Sequence, residues 1–344
     1  MSIRWRDAMD RALYGPGGFF VSGSGPADHF RTSVHTSPVF AAALLRVIEQ
    51  VDAALGHPDR LDVVDVGAGR GELLRALARM QPATAARLRL TAVELAPRPD
   101  DLPDEITWRA EIPSGLTGLL LATEWLDNVP LDIAVHTEGG WRYLLVDPAT
   151  GEESIGDPVD PEDAEWLATW WPVPGRDPAD RTGPESPTVT DARAEIGRSR
   201  DEAWAEAVRH VDRGLALAVD YGHLRAERPV GGTVTGYREG RQVPPVPDGS
   251  CDVTAHVALD SVASAGERVA RCAYTLSSQR EALRALGADG GRPPLTLAGT
   301  DPAGYVRALA AASTVAELTD PAGLGGHRWL WQPVDVPLDP VVAR

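Results

Sequence analysis

The sequence predicts an α/β protein: a doubly wound, mainly parallel sheet with an N-terminal helical cap and an insertion between its fourth and fifth strands. Three observations carry this. Residues 61–124 alternate short apolar runs with polar and amphipathic stretches, the rhythm of βα units. Leu61 to Leu74, LDVVDVGAGRGELL, takes an apolar run through a glycine-rich turn into a helical pattern. A further buried run, Leu215 to Val219, comes only after residues 148–190, which are rich in Pro, Asp and Gly.

The chain opens on a short helix ending at Leu13 and a turn-rich stretch, YGPGGFFVSGSGPADHF. A second helix starts near Ser37-Pro38, where proline at the first position costs no hydrogen bond, and carries Phe40, Leu44, Leu45, Ile48 and Val51 at helical spacing. Residues 1–55 thus read as a cap, with a binding segment in the loop between its helices. Residues 56–131 form the first half of the core, with strands at 61–66, 88–94, 106–111 and 118–123. Ligands of such sheets lie at the carboxyl ends of the strands, and the fourth ends in Thr123-Glu124-Trp125-Leu126-Asp127-Asn128-Val129-Pro130. The insertion, 132–190, begins with a hairpin about Gly139-Gly140 and is packed by Trp166, Trp170 and Trp171. Residues 191–344 complete the core: a helix over 191–211, the fifth strand ending in Asp220-Tyr221-Gly222, and a substrate-side loop at 223–256. Helices near 257–266, Ser278 to Leu286 and 302–313, and strands near 270–276 and Trp329 to Trp331, follow.

The 344 residues hold ample apolar content for a core. A net charge of -17 and a pI near 4.9 leave no basic face for nucleic acid. All 33 basic residues are arginine, which excludes a Walker-type lysine and Schiff-base chemistry. Cys251 and Cys272 alone make neither a disulfide framework nor a thiolate zinc site, and no metal is expected. MSIRWRDAMD has no apolar leader core, and no apolar run approaches the roughly 18 residues of a membrane span. The expectation is a cytoplasmic protein without a membrane span.

Gly67, Gly69 and Gly71 let the turn after the first strand close tightly and let a ligand press on its backbone, with helix amides pointing at it. A dinucleotide fold would show G-x-G-x-x-G, whereas this chain has G-x-G-x-G with Asp65 two residues ahead. The next strand ends in Glu94, where a carboxylate can accept both ribose hydroxyls, so a nucleoside is the expected ligand. This pairing resembles motif I and the acidic second-strand end of class I S-adenosylmethionine (SAM)-dependent methyltransferases, whose sheet is Rossmann-like.

Further segments resemble one family of these enzymes, the MidA/NDUFAF7 family. Its ALYGPxGYY-like, GDFxTSPEIS-like and GxGRG segments correspond to Ala12-Leu-Tyr-Gly-Pro-Gly-Gly-Phe-Phe20, Asp28-His-Phe-Arg-Thr-Ser33 and Gly67-Ala-Gly-Arg-Gly71. Its EFFDALPV-like, DYG and PGxxDxTAHVDF-like segments correspond to Glu124-Trp-Leu-Asp-Asn-Val-Pro-Leu131, Asp220-Tyr-Gly222 and Pro247-Asp-Gly-Ser-Cys-Asp-Val-Thr-Ala-His-Val257. Gly323-Leu-Gly-Gly-His-Arg-Trp-Leu330 resembles the closing strand. The resemblance implies a SAM cofactor and, for characterised members, methylation of a protein arginine in assembly of respiratory complex I. Departures fall on the substrate side: Val34-His35-Thr36-Ser37 replaces PEIS, Gly240 stands for a histidine, and Val257-Ala258-Leu259 replaces VDF. Three acceptor readings therefore stay open: a protein arginine, a small molecule methylated on O or N, or a SAM-binding assembly factor without catalysis.

The cofactor-side candidates are Thr32 and Ser33, by resemblance alone, with Asp65, Gly67, Gly69, Gly71, Glu94, Leu95, Glu111 and Glu124. Asp65 orients the glycine loop or the cofactor's amino group; Arg70 meets the methionine carboxylate or is simply exposed. The catalytic-side candidates are Glu124, Asp127, Asp220 and His256. Methyl transfer from a sulfonium is an in-line displacement, so alignment supplies much of the rate. Two carboxylates can grip a guanidinium bidentately, and Glu124 and Asp127 are spaced for this; capping the next helix or lining the cofactor is the competing reading. Asp220 and Tyr221 border the cleft. Asp252, Thr254 and His256 share a face if extended, making His256 a base oriented by Asp252, or Thr254 a helix cap. The expected partners are a protein substrate or a small molecule, with a homodimer as the assembly.

Overall fold

The computed structural model describes residues 1–21, 38–80, 83–172, 192–288 and 290–338; Thr32, Ser33 and His35 lie outside them. A two-residue strand, β1 (Ile3–Arg4), leads into α1 (Trp5–Tyr14), and α2 (Pro38–Ala54) precedes the core. There follow β2 (Leu61–Val66), α3 (Glu72–Arg79), β3 (Leu88–Val93), β4 (Ile106–Arg109) and β5 (Leu116–Thr123). The insertion supplies β6 (Asp132–Thr137), β7 (Gly140–Val146), β8 (Glu153–Pro158), α4 (Pro161–Trp170) and β9 (Arg193–Ile196). The chain then returns through α5 (Arg198–Arg209) to β10 (Val211–Asp220).

Five short strands come next: β11 (Gly222–His223), β12 (Thr235–Arg238), β13 (Arg241–Val243), β14 (Asp252–Thr254) and β15 (Val257–Ala258). The closing elements are α6 (Leu259–Ala270), β16 (Thr275–Ser278), α7 (Gln279–Ala285), α8 (Leu295–Thr300), α9 (Pro302–Leu318) and β17 (Arg328–Val334).

The main sheet has the order β16-β17-β10-β5-β2-β3-β4. β10, β5, β2, β3 and β4 run parallel, while β17 runs antiparallel to both neighbours. Helices cover both faces, which is why every residue of β2 is buried, Asp62 and Asp65 included. On one face α2 packs Phe40, Leu44, Ile48 and Val51 with Trp329 and Trp331; on the other, α5 and α6 pack Trp204, Val208 and Val262. After β2 the chain moves outward to β3 and β4, then crosses back to β5 on the other side of β2. That reversal opens a crevice at the carboxyl ends of β2 and β5, the place such sheets reserve for ligands.

The insertion is itself a five-stranded antiparallel sheet, order β1-β7-β6-β9 with β8 on β7, into which the N-terminal strand is paired at Ile3↔Val146 and Arg4↔Leu145. α1 buries Trp5, Met9 and Leu13 on one of its faces; Trp166, Leu167 and Trp171 cover the other. Two local expectations are corrected. Residues 193–196 are strand rather than the head of a helix, because they fill the free edge of β6, Ile196 opposite Asp132. The strand expected near 270–276 starts only at Thr275, since α6 continues to Ala270.

Candidate functional site

The glycine turn is built as its spacing requires. Gly67, Gly69 and Gly71 have φ of 71°, 58° and 79°, backbone that favours glycine. A Cβ on Gly67 would come within 2.9 Å of Cδ1 of Trp125, and one on Gly71 within 2.8 Å of Cδ1 of Leu102. The amides of Gly67 and Ala68 donate to Val93 O, at 3.0 and 3.3 Å, tying the turn to the end of β3. There Glu94 accepts from Gly69 N at 3.1 Å and from Leu95 N and Ala96 N at 2.7 and 3.2 Å. The end of β3 is thus bonded to the glycine turn through Glu94.

Beside it lies a cavity of about 590 Å³. Asp65, Gly67, Gly69, Glu94, Leu95, Glu111, Glu124 and Asp127 all line it, whereas Gly71, Asp220 and His256 do not. Tyr14, Phe20, Trp125, Glu206 and His210, which the sequence analysis did not single out for this role, also line it. Among the described residues no arginine lines it, and Arg70 is exposed outside it. Asp65, 4% exposed, has its pKa pushed up to about 8 by burial, with the charges of Glu72 and Glu94 adding to it. No hydrogen bond among the described residues relieves it. Glu94 is also raised by burial, against the three amides that hold it.

These residues fit SAM. A carboxylate poor in donors suits the cofactor's ammonium, an acidic wall suits its sulfonium, and the open glycine backbone with Glu94 beside it suits a nucleoside. Asp65, Gly67, Gly69 and Glu94 would hold it, with Leu95 and Glu111 at the rim.

The catalytic-side candidates separate. Glu124 follows β5 in the left-handed region, φ 51°, an uncommon backbone for glutamate. Its Oε1 stands 3.9 Å from Nδ1 of His327. Asp127 is 2% exposed, and its Oδ2 accepts from the hydroxyls of Tyr221 and Thr254, the latter at 2.6 Å. Asp220 is fully buried behind the cavity: Oδ2 accepts from Leu126 N and Asp127 N at 3.0 and 3.3 Å, and Oδ1 from Tyr221 N at 2.9 Å. It shapes the turn that carries Asp127, and burial beside Asp127 and Glu124 drives its pKa well up.

The triplet on one face does not form. β14 ends at Thr254, and Asp252 and Thr254 are buried while His256 is exposed. Asp252 receives Asn128 Nδ2 at 2.7 Å instead of orienting His256, and Thr254 serves Asp127 and Tyr221, not a helix end.

One residue without a sequence signal fastens these loops. Arg200, 1% exposed, donates to the carbonyls of Val129 at 3.0 Å, Ala255 at 2.9 Å, His256 at 3.1 Å and Asp127. An arginine in the first turn of a helix reads from sequence as surface. Likewise His327, 9% exposed just before β17, has its pKa lowered to about 4 by burial, with His256 contributing, and is uncharged beside Glu124 at neutral pH.

A family model described as "Putative S-adenosyl-L-methionine-dependent methyltransferase" matches residues 41–276. No curated protein matches the chain. A Burkholderia thailandensis protein crystallised with S-adenosyl-homocysteine is similar in fold: TM-score 0.78 at 22% identity, covering 99% of this chain and 90% of that one. A native crystal structure from the same organism gives a TM-score of 0.76, also at 22% identity, over 99% of this chain and 90% of that chain.

Proposed function

Because the chain belongs to the family of S-adenosyl-L-methionine-dependent methyltransferases, we propose that it methylates a guanidinium nitrogen of a protein arginine. The observation that supports this acceptor is the cavity wall: Asp65, Glu72, Glu94, Glu111, Glu124, Asp127 and Glu206 line it with no arginine among the described residues. Asp65 keeps its proton at neutral pH, and the remaining carboxylates give the wall a sign that favours cations.

When bound, SAM supplies an electrophilic methyl group on a positively charged sulfur. The chain does the rest by placement. Gly67 and Gly69 would admit the cofactor against the backbone, with Glu94 taking the ribose and Asp65 the ammonium. Glu124 accepts N–H bonds from the guanidinium, draws its charge away from the nitrogen that attacks, and takes the proton which that nitrogen loses on gaining the methyl group. Asp127, fixed by Tyr221 and Thr254, stands behind it as a further acceptor.

The test is incubation of the full chain with methyl-labelled SAM and a cell lysate. Label in the protein fraction, released on hydrolysis as N-methylarginine, is the expected result. Label confined to small molecules would replace the acceptor; no label alongside tight S-adenosylhomocysteine (SAH) binding would leave a cofactor-binding protein without transfer. With a protein acceptor in hand, Glu124→Gln should lower turnover about a hundredfold with SAH affinity kept, the scale for one preorganised electrostatic contact.

A further inference from the structure

At the end of β10, Tyr221 gathers imidazoles that cofactor binding does not use. His256 lies 5.2 Å from its ring and His327 5.4 Å, centroid to centroid, while its hydroxyl donates to Asp127 and lies 2.6 Å from the Thr254 hydroxyl. Neither histidine lines the cofactor cavity, and among the described residues no cluster is arranged to hold a metal. The group stands on the carboxyl edge of the sheet: Glu124 follows β5, Tyr221 follows β10, and His327 precedes the antiparallel β17.

Its hydrogen-bonding groups are unbalanced. Among the described residues Nδ1 of His327 is buried with no hydrogen-bond partner, as is Oδ1 of Asp127, and a buried polar atom left so points to a missing partner. Glu124 joins the two regions, since it lines the cofactor cavity and its Oε1 stands 3.9 Å from that Nδ1. Loss of water keeps His327 uncharged at neutral pH, so it does not repel a cation. Arg200, the nearby guanidinium of the chain itself, is committed to backbone carbonyls. Carboxylate oxygens, the one unprotonated nitrogen of a neutral imidazole and aromatic faces suit a ligand made wholly of donors. A guanidinium has five N–H donors and no acceptor, and its plane stacks on rings.

We propose that Tyr221, His256 and His327, with Glu124, form the subsite that holds the planar guanidinium head of the methyl acceptor. This rests on the arginine acceptor proposed above.

The test titrates SAH-saturated, full-length protein carrying 13C-labelled histidine with ethylguanidinium. The expected result is saturable shifts of the His256 and His327 resonances, at least fivefold weaker binding in His327→Phe, and weaker binding of ethylammonium to the wild type. SAH affinity within about twofold of wild type in His327→Phe, or in His327→Gln should the first fail to fold, certifies the scaffold. Binding that leaves both resonances still, equal affinity in the variant, or no saturable binding would overturn the subsite. If label from SAM nonetheless reaches protein arginine, only the subsite falls; label confined to small molecules removes both.

Discussion

Asp65 is where burial and chemistry conflict most sharply. Its carboxyl keeps a proton to about pH 8 in the folded chain, against an unfolded value of about 3.9. The folded state therefore binds more protons between those values, and the ligand-free fold should lose stability as pH rises from about 4 to about 8. The ammonium of SAH favours the ionised form, so binding should release up to one proton below pH 8, and affinity should climb with pH and level off near 8. Calorimetry in two buffers of different ionisation enthalpy measures that release, and Asp65→Asn should abolish it. Glu94 is a separate prediction. It satisfies the amides of Gly69, Leu95 and Ala96, and hydrogen bonds to a charged group are worth about 1.5–3 kcal/mol. Glu94→Ala should weaken SAH by about 10–100-fold; unchanged affinity would remove Glu94 from the cofactor site.

Between elements, the joint that matters is the one Arg200 makes from α5 to the turn after β5 and the loop before α6. It is surrounded by buried carboxyls, Asp127 and Asp220 among them. Removing one charge from such a group leaves the others uncompensated, typically about 3–5 kcal/mol. Arg200→Met should lower the urea midpoint accordingly, and a variant as stable as wild type would show the carbonyls to be satisfied without it. This joint was not legible in the sequence, and the reason is distance along the chain. LDVVDVGAGRGELL encodes its strand, turn and helix within fourteen residues, so local spacing revealed Gly67, Gly69 and the nearby Asp65. Asp127 depends on Tyr221, 94 residues away, on Thr254, 127 away, and on Arg200, 73 away. No periodicity reports contacts of that span. Where spacing was trusted too far, as in Asp252, Thr254 and His256, the strand stopped before the third residue. The head of the helix expected at 191–211 fails for a related reason, since an open edge of β6 outweighs local propensity.

The first residues of the chain fasten the insertion sheet, and the helix they lead into links that sheet to the cofactor site. Arg4 pairs with Asp132 at 2.6 Å and lies 3.7 Å from the centroid of Tyr143. Trp5 is 1% exposed and donates Nε1 to Glu153 at 2.8 Å. The helix that follows brings Tyr14 to the cavity wall, where its hydroxyl donates to Asn128 O at 3.3 Å. Asn128 in turn is bonded to Asp252. A defect at Trp5 should therefore be felt twice. Trp5→Ala empties a buried site, a change that commonly costs about 3–5 kcal/mol, and it loosens the helix that supplies one side of the cavity. The thermal midpoint should drop, and SAH affinity should drop with it even at temperatures where the variant is folded. Val306→Ala on α9, at a side chain 65% exposed, is the control, expected within about 0.5 kcal/mol of wild type. Ligand that binds only the folded state stabilises by about 2.7 kcal/mol at a hundred times its dissociation constant. If α1 and the main sheet unfold together, SAH should raise one transition in the wild type and raise it less in Trp5→Ala at equal concentration. Two separate transitions, with only the later one moved by SAH, would mean that the insertion sheet and its N-terminal strand stand apart from the cofactor site.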